Sequence, residues 1–212
     1  MPGRTNKVAE SNGKHIAAEV GRGPNRHVND SQPLLDQKSK EIQRYGTLRK
    51  LPIALDEEAR SQSCALLNQV LADTMILYSL YKKSHWLVAG HTFYQLHLLF
   101  DKHAGEQLEL IDLLAERVQT LGGIAVGDPR HAAELTWIPR PPDGAEEVPV
   151  MIGRLLAAHE DIITAVRDAI EKTASSRDWG SNDLLISDVL RRHELQVWFL
   201  SAHLVDIPLV DA

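Results

Sequence analysis

Five side chains of the kinds that bind metal ions stand at helical spacings within residues 83–123. They are two histidines followed by three carboxylates, in the order His85, His97, Asp101, Asp112 and Glu116. His97 and Asp101 are four residues apart, as are Asp112 and Glu116, so each pair projects from one face of a helix. Imidazole and carboxylate together suit Fe(II), Zn(II) or Mn(II) better than soft Cu(I). The spacing therefore predicts two half-sites for a hard or borderline metal ion.

The two half-sites are too far apart on one helix to bind one ion. Asp101 and Asp112 are separated by roughly 16 Å at the α-helical rise, whereas two ligands of one ion must converge within a few ångströms. If the helix packs antiparallel on its copy in a second subunit, the half of one helix that carries His97 and Asp101 meets the half of the other that carries Asp112 and Glu116. This arrangement predicts metal sites shared across a two-fold axis, in symmetric pairs. The alternative is that each side chain is a solvated charge on an amphipathic helix, which is the usual role of a single Asp or Glu.

The residues around these ligands form an ordered series of short motifs. His-Trp at 85–86 is followed by Gly-His-x-Phe, Leu-His-x-x-Phe-Asp and Asp-x-x-Ala-Glu-Arg-x-x-x-Leu-Gly-Gly, which ends at Gly123. In this series the chain resembles the Dps family, the ferritin-like DNA-protection proteins of starved cells. The resemblance covers about Leu55 to Leu204. An ordinary ferritin site within one bundle uses Glu-x-x-His motifs, and this chain contains none.

The resemblance implies a ferroxidase centre at a dimer interface. One subunit would contribute His85, His97 and Asp101, and the other would contribute Asp112 and Glu116. The implied reaction oxidises Fe(II), preferably with hydrogen peroxide, and stores ferric mineral in a dodecameric cage built from dimers, which protects DNA from oxidative damage. Iron is the expected metal, with zinc as an alternative occupant of the same site.

Several neighbouring residues have two interpretations. By resemblance Trp86 lies beside the metal site and donates or traps an electron; otherwise it is a packed aromatic. His91 and His103 are expected to be solvated or to cap a helix. The alternative is that either adds a ligand to the metal site. Asp178 and Asp183 stand at the start of the fourth helix, where acids complement the helix dipole. The resemblance also places Asp183, and with it Asp178, at a negatively charged three-fold pore.

Four long helices are predicted to position the site. The first runs from Asp56-Glu57-Glu58 to about His85, and the second from about Thr92 to Leu121, with a C-cap signal at Gly122-Gly123. A proline-rich connection, 124–148, contains a short helix around Arg130–Leu135. The third helix extends from near Pro149 to Ala174, and the fourth from Ser181 to near Val205. We therefore expect an all-α, ferritin-like four-helix bundle with a long crossover between helices 2 and 3.

The apolar residues expected to be buried lie on faces of the first, second and fourth helices. They are Leu66, Leu67, Val70, Leu71, Leu77, Tyr78 and Tyr81; Phe93, Leu96, Phe100, Leu110, Leu114, Val118 and Leu121; and Leu184, Val189, Leu190, Val197, Trp198 and Leu204.

Length and composition fit one globular domain preceded by an arm. The 212 residues are 43% hydrophobic and 25% charged, as is usual for soluble proteins. No apolar run is long enough to span a bilayer, and the N-terminus lacks the apolar core of a signal peptide. The single cysteine, Cys64, is expected to be a small buried hydrophobe. We expect a cytoplasmic protein with no membrane association, a flexible arm over 1–50, with 1–30 disordered, and a bundle over 51–212. Residues 34–45 are predicted to include a short helix.

The charge is unevenly distributed between arm and body. Residues 1–55 hold ten Lys or Arg and five acids, whereas the remainder holds thirteen Lys or Arg and twenty-four acids. A basic arm can bind phosphates through flexible cations, which favours a second function, a nucleoid-binding protein that shields DNA with little ferroxidase activity. A solubilising tail is the alternative. His15 and His27 either bind a metal in the arm or have no such role. The predicted DNA-binding residues are Arg4, Lys7, Lys14, Arg22 and Arg26.

Overall fold

The structure, a computed structural model, describes residues 40–205. The predicted DNA-binding residues, His15, His27 and residues 206–212 lie outside this range. A short helix is predicted within residues 34–45, but the described part of that range, residues 40–45, forms a bend and a turn. That part of the prediction is wrong, and the rest of it lies outside the described residues.

Helices account for all regular structure between residues 40 and 205, as the sequence predicts. They are α1 Glu57–Leu87, α2 Phe93–Thr120, α3 Pro129–Leu135, α4 Val148–Ser175, α5 Trp179–Leu184 and α6 Arg191–Ser201. A π-helical segment, Leu185–Leu190, joins α5 to α6, and a 3₁₀ turn, Ala202–Leu204, follows α6. The segment from α5 to α6 is the predicted fourth long helix, and α3 is the predicted short helix of the crossover.

Side-chain contacts give the directions of the helices. Lys82 near the end of α1 pairs with Asp101 near the start of α2, at 2.6 Å, so these helices are antiparallel. Asn182 at the start of the last helix donates to the Ile170 carbonyl at 2.8 Å near the end of α4, so this pair is antiparallel as well. Two antiparallel hairpins joined by a long crossover make the ferritin-like bundle connection that the sequence predicts.

The core lies between the facing stripes of the long helices. α1 is long and apolar enough to cross a membrane by composition, but 61% of the qualifying window is buried inside the bundle. It is therefore the central helix of this core. Burial of side chains of this size contributes about 1.5–3 kcal/mol each to the free energy of folding. The largest fully buried aliphatic side chains are Leu67, Leu71, Leu77, Leu96, Leu110, Leu114, Leu121, Ile152, Leu155 and Ile162.

Buried polar groups attach the connections to the bundle. Asp73 of α1 is fully buried and accepts hydrogen bonds from Thr136 Oγ1 at 2.6 Å and from the Trp137 amide at 2.9 Å, which fixes the crossover. At the end of α2, the Gly122 carbonyl accepts from Gln43 Nε2 and from the Arg49 amide, both at 2.9 Å. Residues 43–49, which the sequence assigns to the arm, thus contact the bundle; the boundary at residue 50 stays a prediction.

The π-helical segment changes which residues of the last helix are buried. The sequence predicts Leu184, Val189, Leu190, Val197, Trp198 and Leu204 on its apolar face. Only Val189 is fully buried, and Trp198 and Leu204 are exposed. Because a π turn inserts an extra residue, a 3.6-residue period read through it points to the wrong face. Beyond the insertion the buried residues are His193, Gln196 and Leu200.

Candidate metal centre

The candidate centre lies where the end of α1 meets the start of α2. The turn between the two helices contains Gly90, whose φ of +96° is a conformation that favours glycine. This turn brings His85, on the last turn of α1, beside His97, on the second turn of α2. The two histidines that the sequence assigns to one half-site therefore lie side by side, and their role as metal ligands stays a prediction.

The two histidines fix each other's rings. His85 Nδ1 donates to the His97 carbonyl at 2.8 Å, and His97 Nδ1 donates to the His85 carbonyl at 2.9 Å. Their rings stack with centroids 3.8 Å apart. Because a carbonyl only accepts hydrogen bonds, each Nδ1 must carry the proton, and each Nε2 keeps a lone pair. This is the outer-shell arrangement typical of metal-binding histidines, so the donor set fits Fe(II) or Zn(II).

Asp101 lies next to the histidines and forms an ion pair with Lys82. The Lys82 Nζ to Asp101 Oδ1 distance is 2.6 Å, and 54% of the Asp101 side chain is exposed. The hydrogen bond from Lys82 holds the pKa of the Asp101 carboxyl below its usual value, and the positive charge of Lys82 adds to this effect. Asp101 is therefore a carboxylate at neutral pH, and a metal ion at this position would compete with the Lys82 ammonium for it.

Asp112 and Glu116 lie farther along α2, and both are exposed. Within residues 40–205 no three His, Cys, Asp or Glu side chains converge closely enough to hold a metal ion. Within the described part of one chain, Asp112 and Glu116 thus lie apart from the two histidines and Asp101. That the two groups are metal half-sites stays a prediction.

Exposed apolar side chains surround both half-sites. Trp86, beside His85, is 69% exposed, so it does not pack in the core of this chain. Phe93, predicted to be buried, is also exposed, since it stands in the first turn of α2 beyond the bundle core. His91 is exposed too. The exposed large apolar residues of α2 are Phe93, Tyr94, Leu98, Leu108 and Leu113.

The two acids predicted to line a pore have different environments. Asp178 is 2% exposed; its carboxylate pairs with Arg117 Nη2 at 2.5 Å and caps α5 by accepting from the Ser181 amide at 3.1 Å. Burial alone would raise the pKa of Asp178, but hydrogen bonds from Ser181 and the Arg117 charge lower it. This placement argues against a pore role for Asp178. Asp183 is exposed and bonded to Ser187, and its pore role stays a prediction.

A buried polar cluster in the middle of the bundle was missed from the sequence. Tyr81 O is 2.5 Å from His159 Nε2 and 3.1 Å from His103 Nδ1, and His159 Nδ1 is 2.9 Å from His193 Nδ1. The expected solvated or capping role of His103 is therefore wrong, because α1 and the last helix cover it. The sequence signal for this cluster was a polar residue, Tyr81, on the apolar face of α1. His193 was not predicted to be buried because the π-helical segment shifts the buried face of the last helix.

Solved Dps proteins share this fold. DpsC from Streptomyces coelicolor superposes with a TM-score of 0.80 and 64% identity, covering 81% of this chain and 100% of that one. A Dps protein from Vibrio cholerae, described as a member of a broad superfamily of ferritin-like diiron-carboxylate proteins, gives a TM-score of 0.70 and 26% identity, covering 75% of this chain and 99% of that one.

Sequence comparisons agree with these structures. A nutrient stress-induced DNA-binding protein from Synechococcus is 31% identical over 72% of this chain and 87% of its own length. The ferritin-like domain family matches residues 64–210. The fold and this match define a ferritin-like protein. Within that class the chain belongs to the Dps family, as the motif series around His85 and Glu116 predicts.

Proposed function

We propose that this protein is a cytoplasmic ferroxidase and iron store that oxidises Fe(II), preferably with hydrogen peroxide, and keeps the ferric product inside a dodecameric cage. Iron is both substrate and cargo. Consuming Fe(II) and peroxide together would limit hydroxyl-radical formation and so protect DNA.

The reciprocal hydrogen bonds of His85 and His97 are the observation that carries this proposal. They hold two rings in a fixed tautomer with both Nε2 atoms free to bind a metal ion. Fixed ring orientation removes most of the ordering cost of metal binding. Asp101 adds a carboxylate once Lys82 is displaced.

The proposed site is completed by a second copy of the chain. Asp112 and Glu116 are exposed on α2 beside an apolar strip that includes Leu108 and Leu113. Packing α2 antiparallel on its copy would bury this strip. It would also bring the two carboxylates of each chain to the histidines of the other, giving two equivalent sites per dimer.

Stopped-flow oxidation of anaerobically loaded Fe(II) tests the activity. At matched oxidant equivalents, hydrogen peroxide should produce ferric absorbance faster than dioxygen, and native mass spectrometry should show a dodecamer. A faster reaction with dioxygen would contradict the peroxide preference, and equal rates with and without protein would contradict ferroxidase activity. His85→Ala should abolish the fast phase, whereas His91→Ala, which changes an exposed neighbour, should retain it.

DNA binding through the N-terminal arm is a second proposed function, favoured by the charge asymmetry between residues 1–55 and the remainder. Binding of this kind is electrostatic and should weaken steeply with salt. Deleting residues 1–30 should abolish a gel shift and leave iron oxidation intact. An unchanged shift after the deletion would exclude the arm as the DNA anchor.

A further inference from the structure

The cluster around Tyr81 is enclosed on all sides by the bundle. Tyr81 comes from α1, His103 from α2, His159 from α4 and His193 from α6, and none of the four is more than 1% exposed. Burying so many polar groups opposes folding unless they are hydrogen-bonded. Even so, His193 Nε2 has no hydrogen-bond partner among the described residues. A buried polar network with an unpartnered end has a stability cost, which points to a use other than packing.

Apart from a longer contact of 3.4 Å between the Tyr81 hydroxyl and Gln196 Oε1, the hydrogen bonds in the cluster form one directed chain. If Tyr81 donates its phenol proton to His159 Nε2, then His159 Nδ1 carries a proton and donates to His193 Nδ1. His103 Nδ1 then donates to the Tyr81 oxygen. In this arrangement a proton can pass from Tyr81 to His159, and from His159 to His193, with each transfer along an existing hydrogen bond.

The protonation states suit such a transfer. Burial lowers the pKa of His193 to about 3, and it holds the pKa of His159 well below its usual value. Burial also raises the pKa of Tyr81 well above its usual value. His159 and His193 are therefore neutral imidazoles that can accept a proton, and Tyr81 is a neutral phenol. A phenol in this setting loses an electron only if its proton moves at the same time.

Tyr81 is also close to the metal centre. It precedes His85 by one helical turn, roughly 6 Å of rise along α1, and residues at this spacing share a face. Its ring lies 6.2 Å from the ring of Phe100, the residue before Asp101. An electron leaving Tyr81 thus has a short path to the half-site that carries His85, His97 and Asp101.

We propose that Tyr81 is a redox-active tyrosine that gives one electron to peroxide chemistry at the metal centre while its phenol proton moves to His159. The reaction with peroxide rests on the proposed function. A site that holds a single Fe(II) supplies one electron, but reducing hydrogen peroxide to two waters takes two electrons and two protons. Fe(II) gives the first electron and becomes Fe(III), Tyr81 gives the second and becomes a neutral phenoxyl radical, and solvent supplies both protons to peroxide. The phenol proton stays on His159 and returns when the radical is reduced.

The first experiment uses the metal-free assembled protein and is independent of iron. Azidyl radicals generated by pulse radiolysis oxidise exposed tryptophans, Trp86 among them, and intramolecular transfer should then produce a phenoxyl radical. The phenoxyl should be lost in Tyr81→Phe and retained in Tyr94→Phe, which changes an exposed tyrosine beside the centre. In His159→Gln, whose amide cannot take the proton, phenoxyl formation should slow at least tenfold.

A labelled wild-type protein keeps the test valid if the core variants fail to fold. With ¹⁵N-histidine, the phenoxyl spectrum from electron–nuclear double resonance should show coupling to a histidine nitrogen. A phenoxyl that persists in folded Tyr81→Phe, or one without histidine coupling in the wild type, would overturn the proposal.

The second experiment adds hydrogen peroxide to protein loaded with one Fe(II) per site. Freeze-quenched samples should contain the same phenoxyl, and Tyr81→Phe should release more spin-trapped hydroxyl radical than Tyr94→Phe. Rapid Fe(II) oxidation without a phenoxyl would overturn the role of Tyr81. Failure to oxidise Fe(II) with peroxide would instead overturn the proposed function, and the metal-free experiment would then decide whether Tyr81 is redox-active.

Discussion

At the scale of single residues, Lys82 and the proposed metal ion would compete for Asp101. The Lys82 ammonium is 2.6 Å from its carboxylate, at the point where a divalent ion would have to bind. The lysine would therefore oppose metal binding in two ways, by occupying the carboxylate and by repelling the cation.

Replacing Lys82 should consequently strengthen metal binding. We expect Lys82→Met to bind Zn²⁺ roughly three- to tenfold more tightly than the wild type, since an exposed ion pair has a modest strength. Titration calorimetry on the assembled protein at neutral pH measures the change. Lys102→Met is the matched control, because Lys102 pairs with Glu106 on α2 instead. Unchanged or weaker affinity in Lys82→Met, with the fold intact, would show that the lysine is not a competitor.

At the scale of elements, the ion pair between Arg117 and Asp178 joins the end of α2 to the start of the last helix. Asp178 also caps α5 through the Ser181 amide. Removing one partner of a buried ion pair leaves an uncompensated charge, which is strongly destabilising.

Asp178→Asn should therefore lower the free energy of unfolding by about 3 kcal/mol. Urea unfolding followed by circular dichroism, at fixed protein concentration, measures the loss. Asp183→Asn, five residues along the same helix and exposed, should change stability by less than about 0.5 kcal/mol. Similar losses in the two variants would mean that burial of Asp178 does not set its contribution.

The histidine core should make the bundle sensitive to acid. The lowered pKa values of His103 and His193 mean that the unfolded chain binds protons that the folded chain does not. Stability is therefore fully present above about pH 6.5 and falls as the pH drops toward the folded pKa values near 4 and 3. The slope is up to about 1.4 kcal/mol per pH unit for each histidine. Urea unfolding between pH 7 and 4.5 measures how the free energy of unfolding changes with pH. His103→Gln should flatten this slope, and His91→Gln, at an exposed position, should leave it as in the wild type. Equal slopes in the two variants would contradict the prediction.

Local sequence signals predict most of this architecture, because α1 and α2 follow an uninterrupted 3.6-residue repeat and Pro149 marks the first turn of α4. Their ends fall within a few residues of the predicted positions. The prediction fails in the last helix, where no local signal marks the π-helical segment that turns His193 and Gln196 inward. The reciprocal bonds of His85 and His97 were also beyond prediction, because they depend on the distance between two helices and not on spacing along one.

At the scale of the whole molecule, the separation of the two half-sites has a consequence for assembly. Asp101 and Asp112 are roughly 16 Å apart along α2, and no complete ligand set forms within the described residues of one chain. If two copies complete each other's sites, a ligand lost from one chain can be supplied by the other. A site contained within one chain offers no such exchange.

Mixing two inactive variants distinguishes these arrangements. His85→Ala and Glu116→Ala should each largely abolish Fe(II) oxidation in homo-oligomers. In a dimer with one chain of each variant, one site carries both substitutions, and the other takes His85 from one chain and Glu116 from its partner. Random pairing should therefore restore roughly a quarter of the sites. His85→Ala mixed with Asp101→Ala is the matched control, because both residues would come from the same chain and no intact site can form.

The rate is measured by stopped flow after co-refolding, once native mass spectrometry has shown mixed dimers. Recovery in the first mixture alone would establish that His85 and Glu116 of different chains act together. If mixed dimers form and neither mixture recovers activity, the shared-site arrangement is wrong. Recovery in both mixtures would also exclude it, because a half-site contributed by one chain cannot be rebuilt from two chains that each lack part of it.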